Sequence, residues 1–220
     1  MRSDVRLSNL LEEPLETFSH ANVRKVSFQD CTGWSYATAI TSITASSAFS
    51  DLREMELVGT NFWRLSEVTR QRLVSGFTTV TTLSLQDVRF QGPEYYITFM
   101  SSFPSLKYVS MNRCRCDALS ASAALYGPTS IQLRIRTLRL EQCETPEMWG
   151  VFVPSPALVK FSITVNGSTH GRCHDEEVLV INAILRSAAS SLEELEMMGT
   201  STFPSSTHRT FLVVTTTYRG

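Results

Sequence analysis

Leu106-Lys-Tyr-Val109-Ser-Met111-Asn-Arg-Cys114 returns 29 residues later as Ile135-Arg-Thr-Leu138-Arg-Leu140-Glu-Gln-Cys143. Apolar residues fall at positions one, four and six of both, and a cysteine closes each. Positions four and six are two apart, the spacing of side chains on one face of a β-strand. Position one caps the same core from the incoming turn. The phrase occurs seven times in all. Two copies come earlier, Val23-Arg-Lys-Val26-Ser-Phe28-Gln-Asp-Cys31 and Leu52-Arg-Glu-Met55-Glu-Leu57-Val-Gly-Thr60. A third is Val80-Thr-Thr-Leu83-Ser-Leu85-Gln-Asp-Val88. Two follow, Leu158-Val-Lys-Phe161-Ser-Ile163-Thr-Val-Asn166 and Leu192-Glu-Glu-Leu195-Glu-Met197-Met-Gly-Thr200. Successive starts lie 29, 28, 26, 29, 23 and 34 residues apart, a period that marks a repeat architecture.

Position nine holds Cys, Thr, Val, Cys, Cys, Asn and Thr. This slot sits where the chain turns, and a small side chain there can satisfy backbone groups of the neighbouring coil. The pattern L-x-x-L-x-L-x-x-N/C resembles the leucine-rich repeat. The repeat lengths and the cysteines bring it nearest to the longer, cysteine-containing class with a helix on the convex side. Leu83-Ser-Leu85-Gln-Asp-Val88-Arg-Phe90 and Ser102-Phe103-Pro104-Ser-Leu106 are also similar to the repeat region of fungal (basidiomycete) F-box-like proteins. The resemblance spans residues 23–200. It implies an α/β fold, a right-handed solenoid of seven repeats forming a horseshoe segment, with a parallel sheet on its concave face. It also implies a protein partner and, through the fungal family, substrate recognition for a ubiquitin ligase. No F-box is recognisable: the 22 residues before the first phrase lack a Leu-Pro-x-Glu-like opening.

The segments between phrases read as the helical half of each repeat. Pro93 opens one, and Tyr96, Phe99, Met100 and Phe103 share a face before Pro104 stops it. Asp175 is the expected N-cap of another, with Val178, Ile181, Leu185 and Ala188 as its stripe and Ile184 beside it. Leu65, Val68 and Leu73 mark a third. The stretches 38–51 and 117–126 carry weaker signals for short helices. Residues 145–156, with Trp149 and three prolines, argue against a full helix. Residues 1–22 are expected to form an N-terminal cap, with an amphipathic stretch at Leu7–Phe18. Residues 23–202 form the repeat body, and 203–220 a tail or last strand, Phe211–Tyr218.

Composition excludes several classes. The chain has 220 residues, 42% of them hydrophobic, enough for a core. Twenty basic residues nearly balance 21 acidic ones, so no strong attraction to nucleic acid or anionic membrane is expected. No apolar run approaches the ~20 residues of a membrane span. Met1-Arg-Ser-Asp-Val-Arg-Leu7 lacks the apolar core of a secretory signal. Five cysteines without an export signal read as reduced thiols, so the expected compartment is cytoplasmic or nuclear.

Catalytic motifs are missing. There is no G-x-S-x-G elbow, no phosphate-cradling glycine loop and no G-x-G-x-x-G, and the expectation is a protein that is not an enzyme and takes no cofactor. The candidate metal ligands are His170, Cys173 and His174, in the loop that lengthens the sixth period. Cys114-Arg-Cys116 is tighter than the usual zinc spacing. The default for both is a polar loop and a repeat slot, and an enzyme or metal protein built on residues 166–175 is the least favoured reading.

Positions three, five and seven point away from the core and define the binding surface. The residues expected to meet a partner are Lys25, Glu54, Glu56, Gln86, Tyr108, Asn112, Arg139, Glu141 and Lys160. Tyr108 and Arg139 are the expected anchors, since those residue types dominate binding hot spots. Mixed charge along this face argues against a phosphate-tracking groove. The alternative role is a structural or inhibitory scaffold outside the ubiquitin pathway.

Overall fold

A phrase with two alternating apolar residues makes a strand of about five residues, and the intervening 20 or so must carry the chain back to start a parallel neighbour. The computed structural model of the chain follows that rule. It describes residues 3–6, 23–29, 40, 49–117, 134–143, 146–166 and 175–200. The protein is α/β, with open sheets of parallel strands. It divides into two compact units, Met1–Leu106 with Arg115–Ser120, and Lys107–Cys114 with Ala121–Gly220.

In the first unit β1 (Ser3–Arg6), β2 (Val23–Gln29), β3 (Glu54–Val58) and β4 (Thr82–Gln86) pair in parallel in that order. β1 was not anticipated, because residues 1–22 read as an N-terminal cap. A 3₁₀ turn (Phe62–Arg64) and α1 (Glu67–Ser75) link β3 to β4. After β4 come β5 (Arg89–Phe90) and α2 (Pro93–Ser101), and β5 pairs in parallel with β7 (Arg115–Cys116). The second unit holds β6 (Tyr108–Asn112), β8 (Thr137–Glu141), β9 (Lys160–Asn166) and β10 (Glu194–Thr200), again parallel and in that order. A 3₁₀ segment (Pro146–Phe152) joins β8 to β9, where the prolines argued against a full helix, and α3 (Asp175–Ser187) joins β9 to β10.

Within each unit the phrases pair position for position. Lys25 faces Glu54 and Glu54 faces Thr82; Tyr108, Thr137, Lys160 and Glu194 form the equivalent row. A slip of one residue would turn every apolar side chain out, so the buried face enforces this register. In the first six phrases, positions one, four and six are no more than 2% exposed.

Position eight makes the turn. Gly59, Asp87, Arg113 and Gln142 occupy it in four consecutive phrases, with φ between 51° and 62°. That left-handed step directs the next side chain inward, and Thr60, Val88, Cys114 and Cys143 at position nine are all buried. Three of these four return a hydrogen bond to the carbonyl of position seven. Thr60 Oγ1 reaches Val58 O at 3.5 Å, Cys114 Sγ reaches Asn112 O at 3.6 Å and Cys143 Sγ reaches Glu141 O at 3.5 Å. The slot therefore selects small donors. Only Gly59 adopts the turn without a side-chain penalty. Gln142 is exposed, so removing its side chain sacrifices no packing. Gln142→Gly should raise stability by roughly 0.5–1 kcal/mol in denaturant titration, the left-handed strain relieved less the entropy gained by the unfolded chain.

The segments between strands supply the rest of the core. In the first unit Phe62 stacks on Phe90 with centroids 4.5 Å apart, and Phe99 meets Phe62 and Phe103 edge-on at 5.2 and 5.0 Å. Tyr96, Phe99, Met100 and Phe103 are all buried, as their spacing indicates. Two other helices differ from the expected pattern. Val68 is 60% exposed, and α1 buries Thr69 and Leu73 instead. Ser66 is the N-cap, accepting from Thr69 N at 3.2 Å and sharing a 2.8 Å hydroxyl contact with Thr69, which turns Thr69 inward and Val68 out. In α3 Val178 and Leu179 are exposed, and the buried face is Glu177, Val180, Ile181, Ile184 and Ala188. Asp175 is the first helical residue of α3 rather than its cap. The expected amphipathic cap at Leu7–Phe18, most of 38–51 and 117–126, and the tail at 203–220 lie outside the described residues.

Candidate recognition face

Positions three, five and seven of each strand form the face opposite the core. Every expected partner-binding residue lies there, and all nine are half-buried or exposed. The structure brings them together in two groups, one per unit. Lys25, Glu54, Glu56 and Gln86 belong to the first; Tyr108, Asn112, Arg139, Glu141 and Lys160 belong to the second.

The charges on this face are largely neutralised by one another. In the first group Lys25 Nζ lies 3.6 Å from Glu56 Oε2. In the second, Lys160 Nζ lies 2.5 Å from Glu194 Oε2, its register partner on β10. The hydrogen bond to Glu194, with its charge, raises the Lys160 pKa above the usual lysine value. Glu141 holds two neighbours: Arg139 Nε donates to Oε1 at 2.7 Å and Asn112 Nδ2 donates to Oε2 at 3.3 Å. Ser162 Oγ donates to Glu196 Oε2 at 3.0 Å.

This pairing changes the standing of the two anchors. Arg139 is committed to Glu141 on its own strand, so its guanidinium reaches a partner only by sharing or leaving that carboxylate. Tyr108 is 44% exposed and presents its ring at the start of β6. It faces Thr137 in register, two residues before Arg139, so ring and ion pair lie on a diagonal of the same face. Ser27 departs from the pattern: it is 5% exposed, and its hydroxyl has no hydrogen-bond partner among the described residues.

Cys114 and Cys143 stack at the turn position, as the repeat requires. Cys143 Sγ also reaches Met111 O of the preceding phrase at 3.7 Å. A hydrogen bond with Cys114 lowers the Cys143 pKa, against the burial that raises it. Cys114, Cys116 and Cys143 form no disulfide; the first and last are buried and Cys116 is half-buried. His170, Cys173 and His174 lie outside the described residues, as does Cys31. Among the described residues no three His, Cys, Asp or Glu side chains gather as a metal site, and no helix is long and apolar enough to cross a membrane.

Sequence reasoning placed the face but not its internal pairing. Alternation tells which way a side chain points, whereas an ion pair depends on which strand lies beside it. No protein-family model matches the chain, and no curated protein matches it.

Proposed function

We propose that the chain is a leucine-rich-repeat solenoid segment that recognises a protein partner through the exposed face of its strands, without catalysis. The observation that carries this reading is the register. Phrase positions three, five and seven align across the strands of each unit, so a repeat written for its core also writes a continuous polar face. In a solenoid that face lines the concave side. Its three cations, Lys25, Arg139 and Lys160, are each held by a carboxylate, which suits a protein surface better than a polyanion. Tyr108 supplies an aromatic anchor with a large contact area and few rotors. The more specific role, substrate recognition for a ubiquitin ligase, rests on the resemblance to fungal F-box-like proteins alone.

Affinity purification of the tagged chain from its own organism, read by mass spectrometry, tests this. The expected result is a stoichiometric protein partner that is lost with Tyr108→Ala. Recovery of a ligase adaptor and cullin with that partner supports the ubiquitin role. A partner without ligase subunits makes the chain a stand-alone recognition scaffold. A partner retained in full by the Tyr108→Ala chain contradicts recognition through this face.

A further inference from the structure

Among the described residues β10 ends the sheet, with its core face half-buried and its outer edge unpaired. In β8 and β9 the side chains at positions four and six, Leu138, Leu140, Phe161 and Ile163, are at most 1% exposed. Their counterparts in β10, Leu195 and Met197, are only half-buried. The backbone shows the same asymmetry. Odd positions turn their amides to the preceding strand, as when Glu194 N donates to Val159 O at 3.1 Å. Even positions turn theirs to the following strand, as when Arg113 N donates to Glu141 O at 2.9 Å. In β10 the outward set is Leu195, Met197 and Gly199, and among the described residues β10 pairs with β9 alone.

We propose that the outer edge of β10 binds an extended peptide of another protein as an added strand, and that this peptide alternates apolar with basic residues. Main-chain hydrogen bonds to the outward amides and carbonyls supply affinity, and alternate side chains supply specificity. The apolar set completes the cover over Leu195 and Met197. The basic set falls on the opposite face, beside Glu194 and Glu196. There two carboxylates, Glu194 and Glu196, stand against one cation, Lys160, so negative charge is in excess. The same excess disfavours a second copy of this edge, which would set carboxylates against carboxylates. The chain's own Phe211–Tyr218 is uncharged along its length, with Arg209 and Arg219 only beyond its ends, so it lacks the alternating cations. This site uses the strand edge, so it stands or falls apart from recognition through the sheet face.

The probe is a fluorescein-labelled heptapeptide alternating lysine and valine, titrated against the full chain by anisotropy. The expected result is saturable one-to-one binding. It weakens at least about tenfold with Glu196→Lys, with Met197→Pro, and with a scrambled peptide of the same composition. Met197→Pro removes an outward amide and leaves the ladder to β9 intact. Because proline in a strand can unfold it, a peptide N-methylated on its inward-facing amides repeats that arm on the unmodified protein and should also lose tenfold. Equal binding by scrambled, N-methylated and alternating peptides overturns the proposal, since charge alone then explains the affinity. So does tighter binding of a 211–218 peptide, or a dimer in sedimentation that Glu196→Lys strengthens, since either assigns the edge to another occupant.

Discussion

Leu140→Asp abolishes the cooperative unfolding transition of the unit that carries it. Leu140 is 1% exposed and sits in register between Met111 and Ile163, both fully buried. A carboxylate at that site has no partner within the apolar row. It must either lose its charge at a cost of several kcal/mol or drag water into the core. With the lost apolar burial, the expected penalty is about 4 kcal/mol or more, a large share of the roughly 5–15 kcal/mol that holds a domain together. Thr137→Asp, on the same strand but the opposite face, is the matched comparison. Its register neighbours are Tyr108 and Lys160, and it should change stability by less than about 1 kcal/mol. Urea titration followed by circular dichroism reads both. A native-like transition in the Leu140→Asp chain would mean that the phrase register is wrong.

Phe99→Ala carries the second large effect, about 3–5 kcal/mol, in the first unit. Phe99 is fully buried on α2 and touches three rings: Phe62 and Phe103 edge-on, and Phe90 at 5.7 Å between centroids. Truncation removes a ring's worth of apolar burial and leaves a cavity walled by side chains from three different segments, which cannot all close on it. The aromatic edge contacts are lost as well. Phe99→Leu keeps part of the volume and should cost less than half as much. Ile97→Ala, on the half-buried side of the same helix, should cost less still. If Phe99→Ala and Ile97→Ala are equally mild in the same titration, the helix does not pack through the ring cluster.

The strands and their buried positions were legible because three apolar residues, the last two at strand spacing, recur at fixed positions seven times and admit one register. The turn slot was legible for the same reason: small residues recur at position nine. The left-handed step at position eight was hidden. Asp87, Arg113 and Gln142 are not residues that announce a positive φ, and only Gly59 gave a local sign. Two helix faces were misread for separate causes. Val178-Leu179-Val180-Ile181 is apolar on every side, so periodicity has no polar face to set against the apolar one. Packing against the 3₁₀ segment Pro146–Phe152 makes the choice. In α1 the Ser66 cap fixes the first turn and overrides the hydrophobicity of Val68. The recognition face was legible as a direction, residue by residue. Its ion pairs were not, because Lys160 and Glu194 are 34 residues apart and meet only once β9 and β10 are side by side.

The recognition face is tested most directly by the dissociation constant of the partner captured with the tagged chain, measured for two variants. Tyr108→Ala removes the exposed ring of the sheet face. Leu179→Ala removes the most exposed large apolar side chain among the described residues, on α3, at 67% exposure. Recognition through the sheet face predicts that Tyr108→Ala weakens binding at least about tenfold while Leu179→Ala leaves it unchanged. The opposite pattern, full affinity without the Tyr108 ring and a loss with Leu179→Ala, would place the partner on the helical side and contradict the account.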